Sequence, residues 1–399
     1  HLPANSTNQR VAGKIFVQGG TQVTINPTLE NAGTNCIISF QNLNGNGNTT
    51  LAVGSGTNVN YTAPTTGWYT IKIRQGTTAW GRQKAWVKVT YTAPAVVNTR
   101  DASNDVRTKV AIWTGNKGTG DISDCGNWEE GVTPSDSTTM IVSGYASPQP
   151  VINRNLTVNA LVLSNDANVQ ISGSNELIVK GTVSNNGGRI SGSGALAFKT
   201  NNAGMGIGGT SNLEVSNLTL NTPYVDGITL SFVNLTVTNN LNLVSGKINI
   251  GNNDLILLGT ISGGNANSYI KTDNSNTATG FISRNLALES FTFPVGNTNY
   301  TPVTINNTSS TSFGIFRVRS FENVLTNGLS GTTVVSSGKL NKTWDIRTNI
   351  TFGLNATATF NWNNLDEGTT FNRNSCRIAK NENGVLGWAP LNNSTVAGG

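Results

Sequence analysis

One apolar–x–apolar triplet returns six times in this chain, as Leu156-Thr157-Val158, Leu177-Ile178-Val179, Leu196-Ala197-Phe198, Leu213-Glu214-Val215, Leu235-Thr236-Val237 and Leu255-Ile256-Leu257. The leading leucines are 21, 19, 17, 22 and 20 residues apart, and Gly, Asn and Ser fill the intervals. A recurrence near 20 residues, with alternation inside each unit, is typical of a solenoid of short β-strands. Because one coil cannot bury its own apolar face, the coils are expected to stack into a shared core. The pattern predicts a β-solenoid over residues 138–265.

The composition of the chain favours an all-β protein. Charged residues make up only 12% of the 399 residues, against about 25% in an average soluble protein. Val, Ile and Thr occur in alternating runs, which is typical of folded strands rather than of disorder. The net charge of +6 comes from scattered cations without a nucleic-acid-binding motif, and no apolar run reaches the ~18 residues of a membrane span. We therefore predict no nucleic-acid partner and no transmembrane segment.

Two further blocks of strands flank the repeat. Residues 11–94 contain short strand patterns separated by Gly- and Asn-rich turns, which predicts an immunoglobulin-like β-sandwich over residues 1–94. Within it, Tyr69 lies where such folds carry a tyrosine corner. Residues 95–137 are assigned to a linker and a capping loop in which Trp113 and Trp128 are expected to cover the end of the solenoid core. Longer alternating strands predict a C-terminal β-sandwich over residues 266–399.

The sequence offers little that could support catalysis. The only histidine is His1, outside the repeat, which excludes Ser-His-Asp and Cys-His mechanisms and His-rich zinc sites. A glycosidase needs two carboxylates across a sugar bond, but the acidic residues of the solenoid do not recur at the coil spacing. These residues are Asp166, Glu176, Glu214, Asp226 and Asp254. We predict that the protein is not an enzyme and that it needs no cofactor.

The middle residues of the six triplets bear on a different solenoid function, ice binding, which would need Thr at the same outward position in every coil. These middle residues are Thr157, Ile178, Ala197, Glu214, Thr236 and Ile256. Because this row is not uniform, we expect no ice-binding face along it.

A local cluster of carboxylates lies in the loop before the solenoid. Asp121 and Asp124 are candidate calcium ligands, since Ca²⁺ takes hard oxygen ligands. Their spacing is not that of an EF-hand. The alternative interpretation is a solvated loop that caps the first coil.

A basic and aromatic surface is predicted in the first domain. Alternation along the strands places Ile71, Ile73, Val87 and Val89 inward. Five residues would then face outward together, namely Lys72, Arg74, Lys84, Trp86 and Lys88. Such a face could bind an anionic polysaccharide or a partner subunit. The alternative is an ordinary solvated sheet face.

Several motifs resemble those of secreted cell-surface proteins of the Bacteroidota. The motifs are Trp113…Asn127-Trp128…Gly131…Pro134, Gly246-Lys247-Ile248-Asn249-Ile250, Asp254-Leu255-Ile256-Leu257-Leu258-Gly259, Phe293-Pro294-Val295-Gly296…Tyr300-Thr301-Pro302-Val303 and Trp344-Asp345-Ile346. Proteins of this kind are adhesin-like or filament-like cargoes of the type IX secretion system with β-helix and β-sandwich domains. The resemblance implies an extracellular location at the cell surface. It also implies an O-glycosylation acceptor at Ser137, because Asp136-Ser137-Thr138 is similar to the short acceptor motif of such exported proteins.

Taken together, these features predict a non-catalytic, extracellular structural or adhesive protein of the cell surface. Its expected partners are further copies of itself, as in a filament, or other cell-surface proteins. The start at His1, without a basic and apolar leader, fits a processed secreted protein. The alternative function is that of a carbohydrate-binding or polysaccharide-active β-helix protein.

Overall fold

The computed structural model describes residues 10–29, 35–42, 49–54, 56–75, 85–91, 110–309, 313–382 and 387–391. Two compact units divide the chain, His1–Asn104 and Asp105–Gly399. The predicted fold class is confirmed: the protein is all-β, with a solenoid of about 7 turns in the middle and separate sheets at both ends. Among the described residues, no helix has the length and apolar character needed to cross a membrane.

The first unit is a sandwich of two antiparallel sheets. Its described strands are β1 (Arg10–Val17), β2 (Gln22–Leu29), β3 (Asn35–Asn42), β4 (Thr49–Gly54), β5 (Val59–Thr62), β6 (Gly67–Gln75) and β7 (Ala85–Tyr91). One sheet has the order β1-β6-β3-β4 and the other the order β5-β2-β7. Val23 and Ile25 from one sheet and Ile71 and Ile73 from the other are buried in one apolar cluster. The inward positions of the predicted alternation therefore form the core between the sheets.

The predicted tyrosine corner is confirmed at Tyr69. Its ring is fully buried, and its hydroxyl donates to the carbonyl oxygen of Thr65 over 2.7 Å and accepts from the Thr65 amide over 3.1 Å. Both bonds tie β6 to the turn before it. The last strand, β7, pairs with β2 rather than with β6, whereas the last strand of a constant-type immunoglobulin domain pairs with the sixth.

The solenoid begins with a strand at Val110, and its strands are short. They are β8 (Val110–Ile112), β9 (Thr139–Ser143), β10 (Val151–Ile152), β11 (Leu156–Val158), β12 (Ala160–Ile171), β13 (Glu176–Val179), β14 (Thr182–Ser191), β15 (Ala195–Phe198), β16 (Gly206–Gly209), β17 (Leu213–Asn221), β18 (Ile228–Ser231), β19 (Leu235–Gly251), β20 (Leu255–Leu257), β21 (Thr260–Gly263) and β22 (Ser268–Thr272). Single-turn 3₁₀ helices at Cys125–Asn127 and Glu129–Gly131 precede β9.

Each coil contributes to three parallel ladders. Buried residues of the first ladder are Met140, Leu161, Val183, Ile207 and Leu230. Buried residues of the second are Val169, Ile190, Val215, Val237 and Leu257. The third ladder contains Leu156, Leu177, Leu196, Leu218, Leu241 and Ile261. Stacking like on like in this way lets small repeats share one continuous core.

The prediction that the six triplets form one row is wrong. Leu196 pairs with Leu218, 22 residues further on, and not with Leu213. Leu213 instead belongs to the second ladder, where it pairs with Leu235. The interval of 17 residues between Leu196 and Leu213 marks this change, because it is too short for a whole coil. The middle residues of the triplets therefore form two rows on two faces: Thr157, Ile178 and Ala197 lie on the third ladder, and Glu214, Thr236 and Ile256 lie on the second.

The C-terminal region continues the solenoid core. Its strands are β23 (Ile282–Leu286), β24 (Ser290–Phe293), β25 (Val295–Gly296), β26 (Val303–Asn307), β27 (Gly314–Glu322), β28 (Lys342–Thr348), β29 (Ala356–Phe360), β30 (Ala379–Lys380) and β31 (Ala389–Pro390). Single-turn 3₁₀ helices lie at Gly328–Ser330, Asn364–Asp366 and Arg373–Ser375. Strands β23, β27 and β28 pair antiparallel, and so do β24, β26 and β29.

The solenoid is longer than the predicted range of 138–265. At its beginning, β8 already pairs in parallel with β9. At its end, β23 pairs in parallel with β20, and β25 with β22. Phe293, Phe316 and Val318 lie in the same apolar cluster as the coils, so one core passes from the solenoid into the C-terminal sheets.

Candidate functional site

The predicted basic and aromatic surface is not a single face. Strand β6, with Lys72, belongs to one sheet of the N-terminal sandwich, and β7, with Trp86 and Lys88, belongs to the other. Because both strands turn their apolar residues into the core between the sheets, their polar residues lie on opposite outer faces. The side chain of Arg74 and the whole of Lys84 lie outside the described residues. Alternation correctly separated inward from outward positions, but it could not show which sheet each strand joins.

One of the two outer faces carries an exposed tryptophan on a polar sheet. Trp86 is 56% exposed, and Lys88 beside it is exposed. Thr28 and Asn26 lie opposite them on β2. We call this surface the Trp86 face and define it by Trp86, Lys88, Thr28, Asn26, Thr24 and Asn60.

Hydrogen bonds fix the polar side chains of the Trp86 face. The hydroxyl of Thr24 donates to the Asn60 amide oxygen over 2.6 Å. The Asn26 amide donates to the Asn58 amide oxygen over 2.7 Å and to the Gly56 carbonyl oxygen over 2.8 Å. The result is a flat, ordered polar surface with an indole and an ammonium group at one end. An indole of this kind can stack on the apolar side of a ring, while the ammonium group donates hydrogen bonds.

The loop between β8 and β9 is organised around Asn127, which is fully buried. Its amide nitrogen donates to the Thr119 hydroxyl over 2.9 Å and to the Asp121 carbonyl oxygen over 3.0 Å, and its amide oxygen accepts from the Lys117 backbone. Trp113 and Trp128 pack edge to face, 4.9 Å apart, within the solenoid's apolar cluster. This confirms that the two tryptophans cover the core.

The two candidate calcium ligands cap backbone groups of this loop. Asp121 accepts from the Ser123 amide over 2.9 Å, and this bond lowers the pKa of Asp121. Asp124 accepts from the Gly126 amide over 2.9 Å. Within the described ranges, no three His, Cys, Asp or Glu side chains come together as a metal site. Both carboxylates therefore stabilise turns of this loop, and calcium binding stays a prediction.

Ser137 lies in the exposed turn at which it was predicted. Neighbouring Asp136 makes an ion pair with Lys180, two coils further on, over 3.3 Å, and the Ser137 hydroxyl is 3.1 Å from that of Ser135. The side chain is accessible to a modifying enzyme. Glycosylation itself stays a prediction.

On the solenoid, side-chain hydrogen bonds connect neighbouring coils. The Asn239 amide donates to the Asn217 amide oxygen over 2.7 Å. Asn234 and Asp254 each donate their backbone N–H to the Asn side chain of the preceding coil, over 2.9 Å and 2.8 Å. These contacts explain why the coils are rich in Asn, whose short amide reaches one coil spacing, about 4.8 Å.

No protein-family model, curated protein or solved structure matches this chain.

A groove that no sequence pattern predicted lies on the first ladder. It has a volume of about 300 Å³ and runs along the outward side of β16, β18, β19 and β22. Its lining includes Met205, Tyr224, Asp226, Thr229, Asn249 and Lys271. A sequence signal for it was the pair Gly206 and Gly208, which leaves two outward positions of one coil without side chains. That signal could be read only once the three ladders were known.

Proposed function

We propose that this protein is a non-catalytic, extracellular structural or adhesive component of the cell surface, and that it assembles into filaments. The observation that carries the proposal is the continuous core, which runs from Ala111 through every coil to Val318 in the C-terminal sheets. A core of this kind, reinforced by bonds between coils, makes a stiff spacer whose length is set by the number of coils. Stiffness and length are the properties that a filament subunit needs.

The third ladder supplies a route to assembly. It begins with β11, which in the described part of the chain pairs on one side only. At its other end, β21 also pairs on one side only, but residues of β21 and β24 line one gap, so β24 of the same chain lies across that edge. An open strand edge accepts a strand from a neighbouring molecule. Pairing of β11 in one copy with an edge strand elsewhere on the next would be head-to-tail, and head-to-tail contacts of this kind build open filaments.

Negative-stain electron microscopy of the full chain over a range of concentrations tests this proposal. Filaments that lengthen with concentration are expected. Thr157→Lys places a charge on the edge strand β11 and should shorten them, whereas Ser231→Lys, on the outward side of β18 between two paired strands, should not. Single particles at every concentration, or filaments equally affected by both variants, would contradict the proposed assembly.

A second candidate function is polysaccharide binding by the Trp86 face. The observation that favours it is the 56% exposed indole beside Lys88 on an ordered polar sheet. In a pull-down with insoluble and soluble polysaccharides, Trp86→Ala and Lys88→Ala should lose binding. Trp68→Ala is the matched control, because Trp68 is 40% exposed on the other sheet, where it packs against Phe16. Equal binding by all variants would exclude this face.

The cellular location and the export route are part of the same proposal. They are supported by the resemblance to type IX secretion cargo and by the exposed turn at Ser137. Mass spectrometry of the protein purified from its native cells should find a glycan on Ser137 and none on a Ser137→Ala variant. An unmodified Ser137 in the native protein would remove this support.

A further inference from the structure

The groove on the first ladder is built by the register of four successive coils. Gly206 pairs with Thr229, Thr229 with Asn249, and Asn249 with Lys271. These positions form one outward row, and the side chain at each position is larger than the one before it, from Gly206 to Lys271 three coils later. Three steps of about 4.8 Å give the row a length of about 14 Å. The groove thus has a closed floor of paired strands and a lengthwise direction.

One wall of the groove comes from the turn before β18. Tyr224 in this turn is half-buried and packs against the apolar core of the solenoid, so its ring is held in place. Asp226, two residues later, is exposed. Gly206 is required beneath this wall, because a Cβ there would overlap the carbonyl oxygen of Thr229. The dip in the surface is therefore a fixed feature of the coil packing.

The polar side chains that line the groove are accessible to a ligand. On other faces, some outward side chains bond between coils, as Lys199 does with Glu176 over 2.5 Å and Thr210 with Asn186 over 3.1 Å. The side chains of Tyr224, Asp226, Thr229, Asn249 and Lys271 have no such partner among the described residues. A carboxylate, a hydroxyl, an amide and an ammonium group therefore converge on the groove with their hydrogen-bonding capacity unused.

We propose that this groove binds a neutral pyranose unit of a polysaccharide. The carboxylate of Asp226 can accept hydrogen bonds from two sugar hydroxyls, Asn249 can both donate and accept, and Lys271 can donate. The Tyr224 ring provides an apolar surface for the C–H side of the sugar. One acid and one base give the groove no net formal charge, which fits a neutral sugar better than a polyanion.

The size and position of the groove agree with this assignment. Its volume of about 300 Å³ lies at the lower end of the range of small-molecule sites. Because the groove follows the solenoid face over several coils, an internal unit of a polymer can lie along it. The site belongs to the solenoid and shares no residue with the Trp86 face. Sugar binding in the groove can therefore be tested independently of filament formation and of binding at the Trp86 face.

Affinity electrophoresis of the full chain in gels that contain laminarin, glucomannan or galactan tests the proposal. At least one of these neutral polysaccharides should retard the native protein. The double variant Asp226→Asn with Lys271→Gln removes one acid and one base, so it leaves the net charge unchanged, and it should bind at least tenfold more weakly. The control Asp166→Asn with Lys117→Gln makes the same change at two exposed positions outside the groove and should bind like the native protein.

Circular dichroism should show both double variants folded, because Asp226, Asp166 and Lys117 are exposed and Lys271 is only half-buried. Retardation of the native protein that the groove variant retains would overturn the assignment, as would the absence of retardation by all three polysaccharides. Binding that is lost with Trp86→Ala but kept in the groove variant would place the ligand on the Trp86 face instead, and it would also overturn the assignment.

Discussion

Asn185 holds two ladders of the solenoid together from the inside. It is fully buried where β14 passes from the first ladder to the second. Its amide nitrogen donates to the carbonyl oxygens of Gly188, Ser211 and Asn212 over 3.1, 3.2 and 2.8 Å, and its amide oxygen accepts from the Gly188 N–H over 2.8 Å. Asn185→Ala removes these bonds and leaves the partner backbone groups of Gly188, Ser211 and Asn212 without this amide. At about 1 kcal/mol for each of three well-satisfied bonds, the variant should lower the free energy of unfolding by about 3 kcal/mol.

Hydrogen exchange measured by mass spectrometry suits this prediction, because peptides covering residues 177–220 report on the solenoid alone. The matched control is Asn186→Ala. Asn186 is the exposed neighbour, and its amide oxygen accepts only from the backbone and hydroxyl of Thr210. We expect this control to lose less than about 1 kcal/mol. A loss at Asn185 that is equally small, or the same loss in both variants, would refute the argument that this buried amide stabilises the coil junction.

Three further predictions follow from the strained, buried and titrating groups of the second unit. Phe232 is 96% exposed and has a φ of 63°, at a corner where another coil has Gly209 in a positive-φ conformation. Because Asn tolerates a positive φ better than Phe, Phe232→Asn should raise the free energy of unfolding by about 0.5–1 kcal/mol, and with it the melting temperature. A fall in melting temperature would show that the ring makes a stabilising contact. Lys342 has a fully buried side chain between Glu322, at 2.6 Å, and Asp366, at 3.4 Å. Because Lys342→Met leaves these carboxylates without their cation, it should lower the free energy of unfolding, measured in urea, by about 3–5 kcal/mol. The control Lys380→Met, at an exposed ion pair, should lower it by at most about 1 kcal/mol. Burial, with smaller contributions from Asp366 and Glu322, raises the pKa of Tyr269 to about 12. The unfolded chain then loses this proton before the folded one, so stability should fall as the pH rises from about 10 towards 12, and less steeply in Tyr269→Phe; equal slopes in urea titrations would contradict this origin.

Local patterns were sufficient for the elements of the fold. Alternation identified the inward faces of β6 and β7, since Ile71 and Ile73 are buried. The core-covering position of Trp113 and Trp128 and the hydrogen bonds of the Tyr69 hydroxyl were also predicted correctly, because each depends on residues close to it in the chain. These predictions depend on sequence neighbours only, and a single sequence contains that information.

The candidate sites were harder to predict, because each combines residues that are far apart in the chain. Lys72 and Lys88 were expected on one face and lie on two, since strand order within a sandwich depends on long-range pairing. The groove combines a turn at Tyr224 with a lysine at position 271, two coils further on. Neither arrangement leaves a local pattern in the sequence.

The sequence by itself determined that the central chain is a β-solenoid with coils of about 20 residues, because apolar alternation and turn residues follow from the chemistry of each strand. Tertiary structure alone decided the register, and with it the assignment of Leu213 to the second ladder rather than beneath Leu196. A triplet of apolar residues fits any of three equivalent ladders, and only the stacking of whole coils, with their longer turn at residues 199–205, selects one. The same stacking creates the groove and closes the core.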